Sequence, residues 1–521
     1  MKKKTARFLA AVLILAMLLG ACGSAPENGT EGTADGSEGE GTRDTLIIGN
    51  YCEPTVLDPP NHNILSSGVV NVQIFDGLVR YNNETGEIEP ALATSWEQVD
   101  DYTLRLQLRE GVVFHDGSPF TAEDVKFTFD RAADSTEKVF IWEVFDPSKT
   151  KVIDEYTVEI GTYDKFPAML TYLANNAMLI VSKHAVEEAG SDDVFGRNPV
   201  GTGPYKFVEW VAGDRVVMER NEDYWGEKPY FKTLIHRTIA DDTTRAMALT
   251  SGEIDIALNL AAAQIEMLEQ SPDVEVVPTP SYIIQCCTLN QAYEPLSDVR
   301  VRKALNYAVD INTISEIAFM TGTVADGAFM PNLTDYKPAD PEQEINVYDV
   351  EKAKELLKEA GYEDGFDLTI TCNETQPRIT MAEMLANAWR EIGINAQVQV
   401  MEFGAQQEMI NNGQGQADLL GFVAGGDDGV FFGDCFRAGG VWAKRSGINN
   451  PRINELFDMA EVEMDPVKRS EYYKELQDLI REELPWLFIR FMDNNYGIRS
   501  DLAGLDMDPE WYSEFRFVHP E

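Results

Sequence analysis

Histidine and cysteine, the residues that most often bind metals or act as nucleophiles, are scattered through this chain. The histidines stand alone in the sequence, without the spacing of a metal site; they are His62, His115, His184, His236 and His519. The cysteines form no C-x-x-C pair and have no histidine pattern beside them; they are Cys22, Cys52, Cys286, Cys287, Cys372 and Cys435. We therefore predict no metal site and no cofactor, and expect mostly buried thiols. Whether Cys286 or Cys287 pairs with Cys435 stays open.

Common catalytic signatures are also missing. The sequence contains no H-E-x-x-H, no G-x-S-x-G, no G-x-x-x-x-G-K-[ST] and no G-x-G-x-x-G that opens a helix. Two of the 88 acidic residues could still form a glycosidase-like pair, but a surplus of Asp and Glu usually forms a solvated surface. We predict no catalytic residues. A secreted glycosidase or peptidase is the alternative from the enzyme class, and turnover of glycans or peptides would reveal it.

The elements that must position any binding residues alternate between strands and helices. Residues 102–108 alternate leucines with polar residues, which is the period of two of a half-buried strand, and residues 366–371 repeat the pattern. Asp349 can cap a helix that Gly361 ends, and Asp465 can begin another. The sequence therefore predicts a mixed α/β fold.

Length and charge limit the possible partners. The chain has 521 residues, enough for two to four folded units, and 44% of them are hydrophobic, as in soluble globular proteins. Its 43 Lys and Arg against 88 Asp and Glu give a formal net charge of -45. A field of that sign repels phosphate backbones and anionic lipids. We therefore exclude nucleic acid as a partner.

The N-terminus predicts the compartment. Residues 1–21 combine a basic start with an apolar run from 8 to 19, which is too short to span a bilayer and fits a signal peptide. The end of that segment, LGAC, resembles the lipobox of bacterial lipoproteins, which implies lipidation of Cys22 after cleavage. Residues 22–43 are rich in Gly, Ser, Thr and Glu and predict a disordered tether. We expect an extracytoplasmic protein held to the cell membrane by lipid alone.

One segment of the body carries a family signature. Residues Glu89–Arg131 read EPALATSWEQVDDYTLRLQLREGVVFHDGSPFTAEDVKFTFDR, which predicts a strand, a turn and a helix that Thr121 and Asp124 cap as a capping box. This segment resembles the signature of the family 5 extracytoplasmic solute-binding proteins, the peptide and nickel class that serves ABC importers. The family pattern is P-x-L-A-x-S-W, then L-R-x-G-V-x-F-H-D-G, then T-A-E-D-V.

The resemblance continues in order along the chain. Later matching segments are NPVGTGPYKFVEW (198–210), ERNEDYW (219–225), AMALTSGEIDI (246–256), LNQAYEPLSDVRVRKALNYAVD (289–310) and AKELLKEAG (353–361). The resemblance as a whole covers nearly everything from Asp44 to Glu521. The family's fold is a periplasmic-binding-protein-like clamp of two lobes, α/β in class, with a discontinuous first lobe and an extra inserted domain.

The resemblance implies these domain boundaries. Lobe I consists of residues 44–79, 195–288 and 490–521, the inserted domain is 80–194, and lobe II is 289–489. The chain crossings near 288–290 and 489–491 would then act as the hinge.

The resemblance also implies a binding function without chemistry. Such proteins close around a solute, most often a di- or oligopeptide, and deliver it to the membrane subunits of an ABC permease. We expect a monomer. Because the family also binds oligosaccharides, other polar solutes and nickel chelates, the fold cannot name the solute.

Two residues are implied as partners for the ends of a peptide. Family peptide binders carry D-x5-W-x-x-D, whose second Asp pairs with the peptide ammonium; here Asp427 has that place in DLLGFVAGGD, with Asp428 next to it. Ala424 stands where Trp is usual, and Phe422 is the candidate to replace that ring. Arg378, before MAEMLANAW, is implied as a partner for the peptide carboxylate. Polar turn residues and a surface arginine are the structural alternatives.

Further residues are candidates for lining the cleft. Glu53 and Thr55 match a family loop that runs beside bound peptides. The strand Gln285 to Cys287, which contains Cys286 and leads to the hinge, is a further candidate. The remaining aromatic candidates, which core packing explains equally well, are Phe140, Trp142 and Trp442. For a carbohydrate solute, Trp442 or Trp486 could instead stack on a sugar ring.

Overall fold

The computed structural model describes residues 43–62, 65–83, 85–136, 140–343, 345–424, 428–510 and 512–521. The predicted signal peptide, Cys22, the tether up to residue 42, and Asp427 lie outside these residues. Residues Asp44–Glu521 form one unit by their contacts.

The strands belong to one large sheet and three small ones. In chain order they are β1 (Thr45–Asn50), β2 (Val79–Tyr81), β3 (Ile88–Pro90), β4 (Ala93–Asp100), β5 (Thr103–Leu108), β6 (Lys151–Asp154), β7 (Thr157–Gly161), β8 (Tyr205–Val211), β9 (Arg215–Arg220), β10 (Thr233–Thr238), β11 (Ile256–Ala257), β12 (Val274–Leu289), β13 (Thr323–Val324), β14 (Asp367–Asn373), β15 (Asn395–Met401), β16 (Ala417–Val423), β17 (Trp486–Arg499), β18 (Leu502–Ala503) and β19 (His519–Pro520).

Helices alternate with the strands along the chain. In chain order they are α1 (Leu65–Ile74), α2 (Ala122–Asp134), α3 (Met169–Leu173), α4 (Lys183–Ala189), α5 (Asp192–Phe195), α6 (Asp242–Thr250), α7 (Ala262–Glu269), α8 (Glu294–Ser297), α9 (Val299–Tyr307), α10 (Ile311–Ala318), α11 (Val350–Glu359), α12 (Gln376–Glu391), α13 (Phe403–Asn411), α14 (Gly433–Phe436), α15 (Pro451–Val462) and α16 (Pro466–Glu483). None of the helices in the described part of the chain is long and apolar enough to cross a membrane.

Two long antiparallel strands join the halves of the large sheet. Its order is β15-β14-β16-β12-β17-β11-β1-β10-β9-β8, with β13 added on β17. β12 pairs with β17 from Val274 opposite Arg499 to Thr288 opposite Trp486, and the pairing is irregular between Pro280 and Ile284. One half of the sheet therefore lies on each side of this irregular segment.

The inserted segment has a sheet of its own, ordered β4-β5-β7-β6. Leu104, Leu106 and Leu108 of β5 are buried, as their alternation predicts. Their hydrophobic core continues through Tyr172 into residues of the C-terminal half of the chain, among them Phe431. The inserted segment is thus packed against both halves of the body, and the exact domain boundaries stay a prediction.

The predicted helix ends agree with the structure. Thr121 and Asp124 form the capping box of α2, and Asp349 accepts a hydrogen bond from the backbone N–H of Lys352 at the start of α11. Gly361 follows α11 with φ of 85°, a left-handed conformation that glycine adopts without strain. These caps are local, which is why the sequence predicts them.

Candidate functional site

Two cavities open where β12 passes between the halves of the sheet. Tyr282 lines the first, and Ile283 with Gln285 lines the second. Neighbouring side chains of a strand point to opposite faces. The two cavities therefore lie on different faces of the segment 282–285.

The second cavity, which we call the arginine cavity, has a volume of about 380 Å³. It is bounded by β12, by the middle of β17, by the start of α12 and by segments of both halves of the sheet. Its polar lining residues are Asn259, Gln285, Thr321, Thr375, Arg378, Asp493, Asn494 and Asn495. The one carboxylate among them, Asp493, accepts a hydrogen bond from the backbone N–H of Gly322. The guanidinium of Arg378, with amide and hydroxyl groups around it, suits a polar, anionic ligand group.

Arg378 reaches this cavity because of the order of parallel strands. β14 is parallel to β16, so their carboxyl ends meet at one edge of the sheet. Arg378 lies in the first turn of α12, directly after β14, and the segment 424–428 follows β16. A Cβ atom built on Gly421 of β16 would lie 2.9 Å from an Nη atom of Arg378, so the guanidinium lies against the strand.

The guanidinium of Arg378 has spare hydrogen-bonding capacity. Its Nε donates to Oε1 of Gln285 at 3.3 Å. No ion pair with a carboxylate is found for it among the described residues, and the ionisable groups that act on it are the thiols of Cys286 and Cys372. Burial lowers the pKa of Arg378 from its usual value. A partly buried cation of this kind is stabilised by an anionic ligand.

The first cavity, which we call the junction cavity, has a volume of about 120 Å³. It lies where the inserted segment meets the C-terminal half and the chain's tail, and the Tyr172 ring stacks on the Phe431 ring at 5.4 Å with an interplanar angle of 1°. Glu510 and Asp508 of the tail also line it.

Asp428 is already committed to a buried ion pair. Its two carboxylate oxygens accept hydrogen bonds of 2.6 and 2.7 Å from the guanidinium of Arg469, and one of them also accepts from the backbone N–H of Val430. Only 5% of Asp428 is exposed. Both oxygens serve the protein, so Asp428 is poorly placed to bind a solute ammonium, whereas its neighbour Asp427 lies outside the described residues.

Asp418, the first acid of the same segment, is fully buried in the sheet. It pairs with Thr371 of β14 through a short hydrogen bond between side chains. Burial raises the pKa of Asp418 to about 6. Its role is to join two strands beneath the site.

The aromatic candidates and Cys286 belong to the hydrophobic core. Phe422 is 4% exposed and packs against Trp442 and Trp486 with ring centroids 5.6 and 5.8 Å apart. Trp142 packs edge-on against Phe129 in the inserted segment. Cys286 is fully buried, and burial raises the pKa of its thiol to about 12. None of these described side chains lines either cavity.

The remaining candidates are Glu53, Thr55 and Phe140. The carboxylate of Glu53 accepts hydrogen bonds from the indole N–H of Trp210 and the backbone N–H of Gly213, so it fastens the loop to the β8–β9 hairpin. Thr55 is exposed and its backbone N–H donates to Ser67. Phe140 begins a short 3-10 helix, and its side chain lies outside the described part of the chain.

The sequence indicates the strand 285–287 as part of the lining, and Gln285 of that strand does line the arginine cavity. Its neighbour Cys286 does not, because adjacent side chains of a strand face opposite sides. Sequence reasoning missed Tyr282 and Glu510, which line the junction cavity. The position of Glu510 depends on the fold of the tail, which no local pattern indicates.

Neither metal ligands nor disulfides occur among the described residues. No group of three or more His, Cys, Asp or Glu side chains there is placed to hold a metal ion. The five cysteines within the described ranges are free thiols, and four of them are buried: Cys286, Cys287, Cys372 and Cys435. The pairing of Cys435 with Cys286 or Cys287, left open by the sequence, is therefore not present here.

Known proteins are similar to this chain in sequence and in fold. The family model described as bacterial extracellular solute-binding proteins, family 5 Middle, matches residues 87–443. The glutathione-binding protein GsiB of Escherichia coli (strain K12) is 31% identical over 451 residues, which cover 83% of this chain and 86% of that protein.

Solved structures agree over the body of the chain. The periplasmic binding protein DppA from Helicobacter pylori, solved in complex with the peptide STSA, is 26% identical with a TM-score of 0.73 and covers 92% of this chain and 98% of its own. HbpA2 from Haemophilus parasuis is 26% identical with a TM-score of 0.84, and the match covers 92% of this chain and 100% of that protein's chain.

The predicted fold class is thus confirmed as a two-lobed periplasmic binding protein of mixed α/β structure. The relatives are solute-binding proteins of ABC transporters and not enzymes. This chain belongs to the family 5 bacterial extracellular solute-binding proteins.

Proposed function

We propose that this protein captures small peptides with a free carboxylate and delivers them to an ABC permease. The observation that carries the proposal is Arg378, a cavity-lining guanidinium with one hydrogen bond to Gln285 and no carboxylate partner among the described residues. A carboxylate in the cavity would supply the missing charge and accept two parallel hydrogen bonds.

The relatives support a peptide-like solute. The Helicobacter pylori protein was solved with the peptide STSA, and the Escherichia coli relative is named for binding glutathione, itself a tripeptide. Arg378 follows β14 in the sequence and Asp427 follows β16, and the carboxyl ends of these parallel strands lie at one edge of the sheet. Asp427 would therefore bind the ammonium end of the peptide. A solute between Arg378 and the segment 424–428 would thus be bound at both charged ends.

Closure of the two lobes would complete the site. We place the lobes as the sequence predicts, with residues 44–79, 195–288 and 490–521 in lobe I and 289–489 in lobe II. The irregular pairing between Pro280 and Ile284 supports a hinge slightly earlier in β12 than predicted, since fewer ladder hydrogen bonds resist bending there. Solute binding would favour the closed form that the permease recognises.

We further propose that the protein acts as a monomer outside the cell membrane, held by lipid on Cys22. Cleavage after residue 21 and a flexible leash of about twenty residues would leave the body free to meet its permease.

A carbohydrate solute has less support. Sugar rings are commonly held by stacked aromatic side chains, but Trp442 is packed edge-on against Phe422, and Trp486 is 2% exposed. Neither of them lines a cavity. A nickel chelate would have no cluster of metal-binding side chains among the described residues to hold it.

Calorimetry with matched peptides tests the proposal. We expect the purified protein to bind members of a panel of di- to pentapeptides and to bind each at least tenfold more weakly as its C-terminal amide, because the amide cannot pair with Arg378. Equal affinity for acid and amide forms would remove the carboxylate from the recognition. Binding of oligosaccharides with no peptide bound would overturn the proposal.

A further inference from the structure

The junction cavity is lined by chemistry suited to a cation. Its wall carries the rings of Tyr172, Tyr282 and Phe431 and the carboxylate of Glu510. None of the described residues that line it is Lys or Arg. Aromatic faces attract cations by their quadrupole, and a carboxyl group that loses its proton when a cation enters attracts that cation by charge.

A hydrogen-bond acceptor in this wall is unused. The Oδ1 atom of Asn332 is buried and has no hydrogen-bond partner among the described residues, while Nδ2 of the same side chain donates to the carbonyl of Pro280. A buried acceptor without a donor costs about 1–3 kcal/mol, so a ligand N–H group in the cavity would be favoured.

The acidic side chains are held in place by neutral amides. Asn175 donates to Glu510 at 3.0 Å, and Asn176 donates to Asp508 at 3.0 Å. Asp508 accepts further hydrogen bonds from the backbone N–H groups of Glu510 and Tyr512, which occupy its other oxygen. Asp508 is thus part of the framework of the tail, and Glu510 is the acid with capacity for a ligand.

The cavity is large enough for the end of a side chain. Its volume is about 120 Å³, well above the roughly 10–15 Å³ that one water needs in the same measure. A primary alkylammonium is the slimmer of the two basic side-chain ends, so we take lysine as the simplest occupant.

We infer that the junction cavity is a subsite for a lysine-type side chain of the solute, with Glu510 as its ion partner and Tyr172, Tyr282 and Phe431 as its wall. The inference rests on the proposed peptide function and narrows the substrate class to peptides with a basic residue. The junction cavity lies on the other face of the segment 282–285 from the arginine cavity, so a peptide bound at Arg378 would have to pass this segment to fill both. Tyr282 lies at that point, and its carbonyl accepts a hydrogen bond from the N–H of Ala424, which precedes Asp427 by three residues in the sequence.

Matched tripeptides test this subsite. The panel places lysine, or its uncharged analogue norleucine, at each position of Ala-Ala-Ala, and calorimetry compares the members of each pair. We expect the lysine peptide to bind at least tenfold more tightly at one position. If peptides bind but no pair differs by more than threefold, the subsite is wrong and the peptide function stands. If none of these tripeptides binds and the longer peptides do not either, the proposed function itself fails.

Two variants separate the subsite from a structural effect. Glu510→Gln keeps the shape and the hydrogen bond with Asn175, and should abolish the preference for lysine while changing affinity for the norleucine peptide less than twofold. Glu391→Gln, which removes the same charge from the exposed end of α12, should leave the preference intact. A lysine preference that survives Glu510→Gln would overturn the assignment.

Proton release gives an independent readout. Burial and the neighbouring Asp508 raise the pKa of Glu510 to about 8, so at pH 7 the empty cavity holds it mostly protonated. A bound ammonium would favour the carboxylate and displace that proton. Titrations in buffers of different ionisation enthalpy should therefore show close to one proton released per lysine peptide, and none for norleucine; equal release for both peptides would contradict the ion pair.

Discussion

Arg378 donates a hydrogen bond of 3.3 Å from its Nε to Oε1 of Gln285, which joins the first turn of α12 to the strand β12. The contact orients a guanidinium towards a cavity between the two halves of the protein while leaving its Nη atoms for a ligand. A neutral partner of this kind fixes an arginine without cancelling its charge. This geometry supports the proposal that Arg378 binds a carboxylate of the solute.

Arg378→Gln should weaken the binding of peptides with a free carboxylate by at least tenfold and leave their amides almost unchanged. The variant removes a charged hydrogen-bond donor, a contact of about 1.5–3 kcal/mol. Arg378→Lys should recover only part of the affinity, because an ammonium cannot form two parallel hydrogen bonds with a carboxylate. Calorimetry measures both. Equal losses for acid and amide forms would indicate a general disturbance of the cleft instead.

Asp427→Ala should weaken peptide affinity by more than tenfold, because it strands the solute's ammonium group in the closed site. The matched ligands are peptides with an acetylated N-terminus, which should bind weakly to the parent protein and lose nothing further in the variant. Unchanged affinity for the free peptide would remove Asp427 from the site.

Asp428→Asn should lower the stability of the folded protein. The variant leaves the guanidinium of Arg469, which is mostly buried, without its carboxylate partner, and breaking one side of a buried ion pair costs about 3–5 kcal/mol. Denaturant unfolding should show a lower free energy of unfolding, with peptide affinity preserved in the folded protein at low temperature. A stable variant that no longer binds peptide would instead assign Asp428 to the solute.

Stability should depend on pH through Glu510. The pKa of this group is about 8 in the folded protein and near 4.5 in the unfolded chain. The folded state therefore binds more protons between these values, and the group's contribution to stability falls as the pH rises from about 4.5 to 8. Glu510→Gln removes that contribution, so the melting temperature of the variant relative to the parent should rise across this window. A constant difference would contradict the raised pKa.

The sequence predicts the family and the fold because the evidence for both is local and ordered. The capping box of Thr121 and Asp124 and the cap of Asp349 each depend on a few neighbouring residues. The signature segments follow one another in the family's order from Asp44 onward. Comparison with known proteins then confirms the family over residues 87–443.

The lining of the site is harder to predict, because it depends on contacts between distant residues. Asp428 and Arg469 are 41 positions apart, and nothing in either local sequence indicates that they pair. Phe422 and Trp142 are typical of both a core and a cleft, and only packing distinguishes the two. Glu510 reaches the junction cavity because the tail folds back over the inserted segment to meet Asn175.

The most direct measurement of the central claim is mass spectrometry of the small molecules released when the natively purified protein is denatured. The account predicts a peptide with a free C-terminal carboxylate, present in near-stoichiometric amount and absent from a preparation of Arg378→Gln. A stoichiometric oligosaccharide or nickel chelate, retained by that variant, would contradict it.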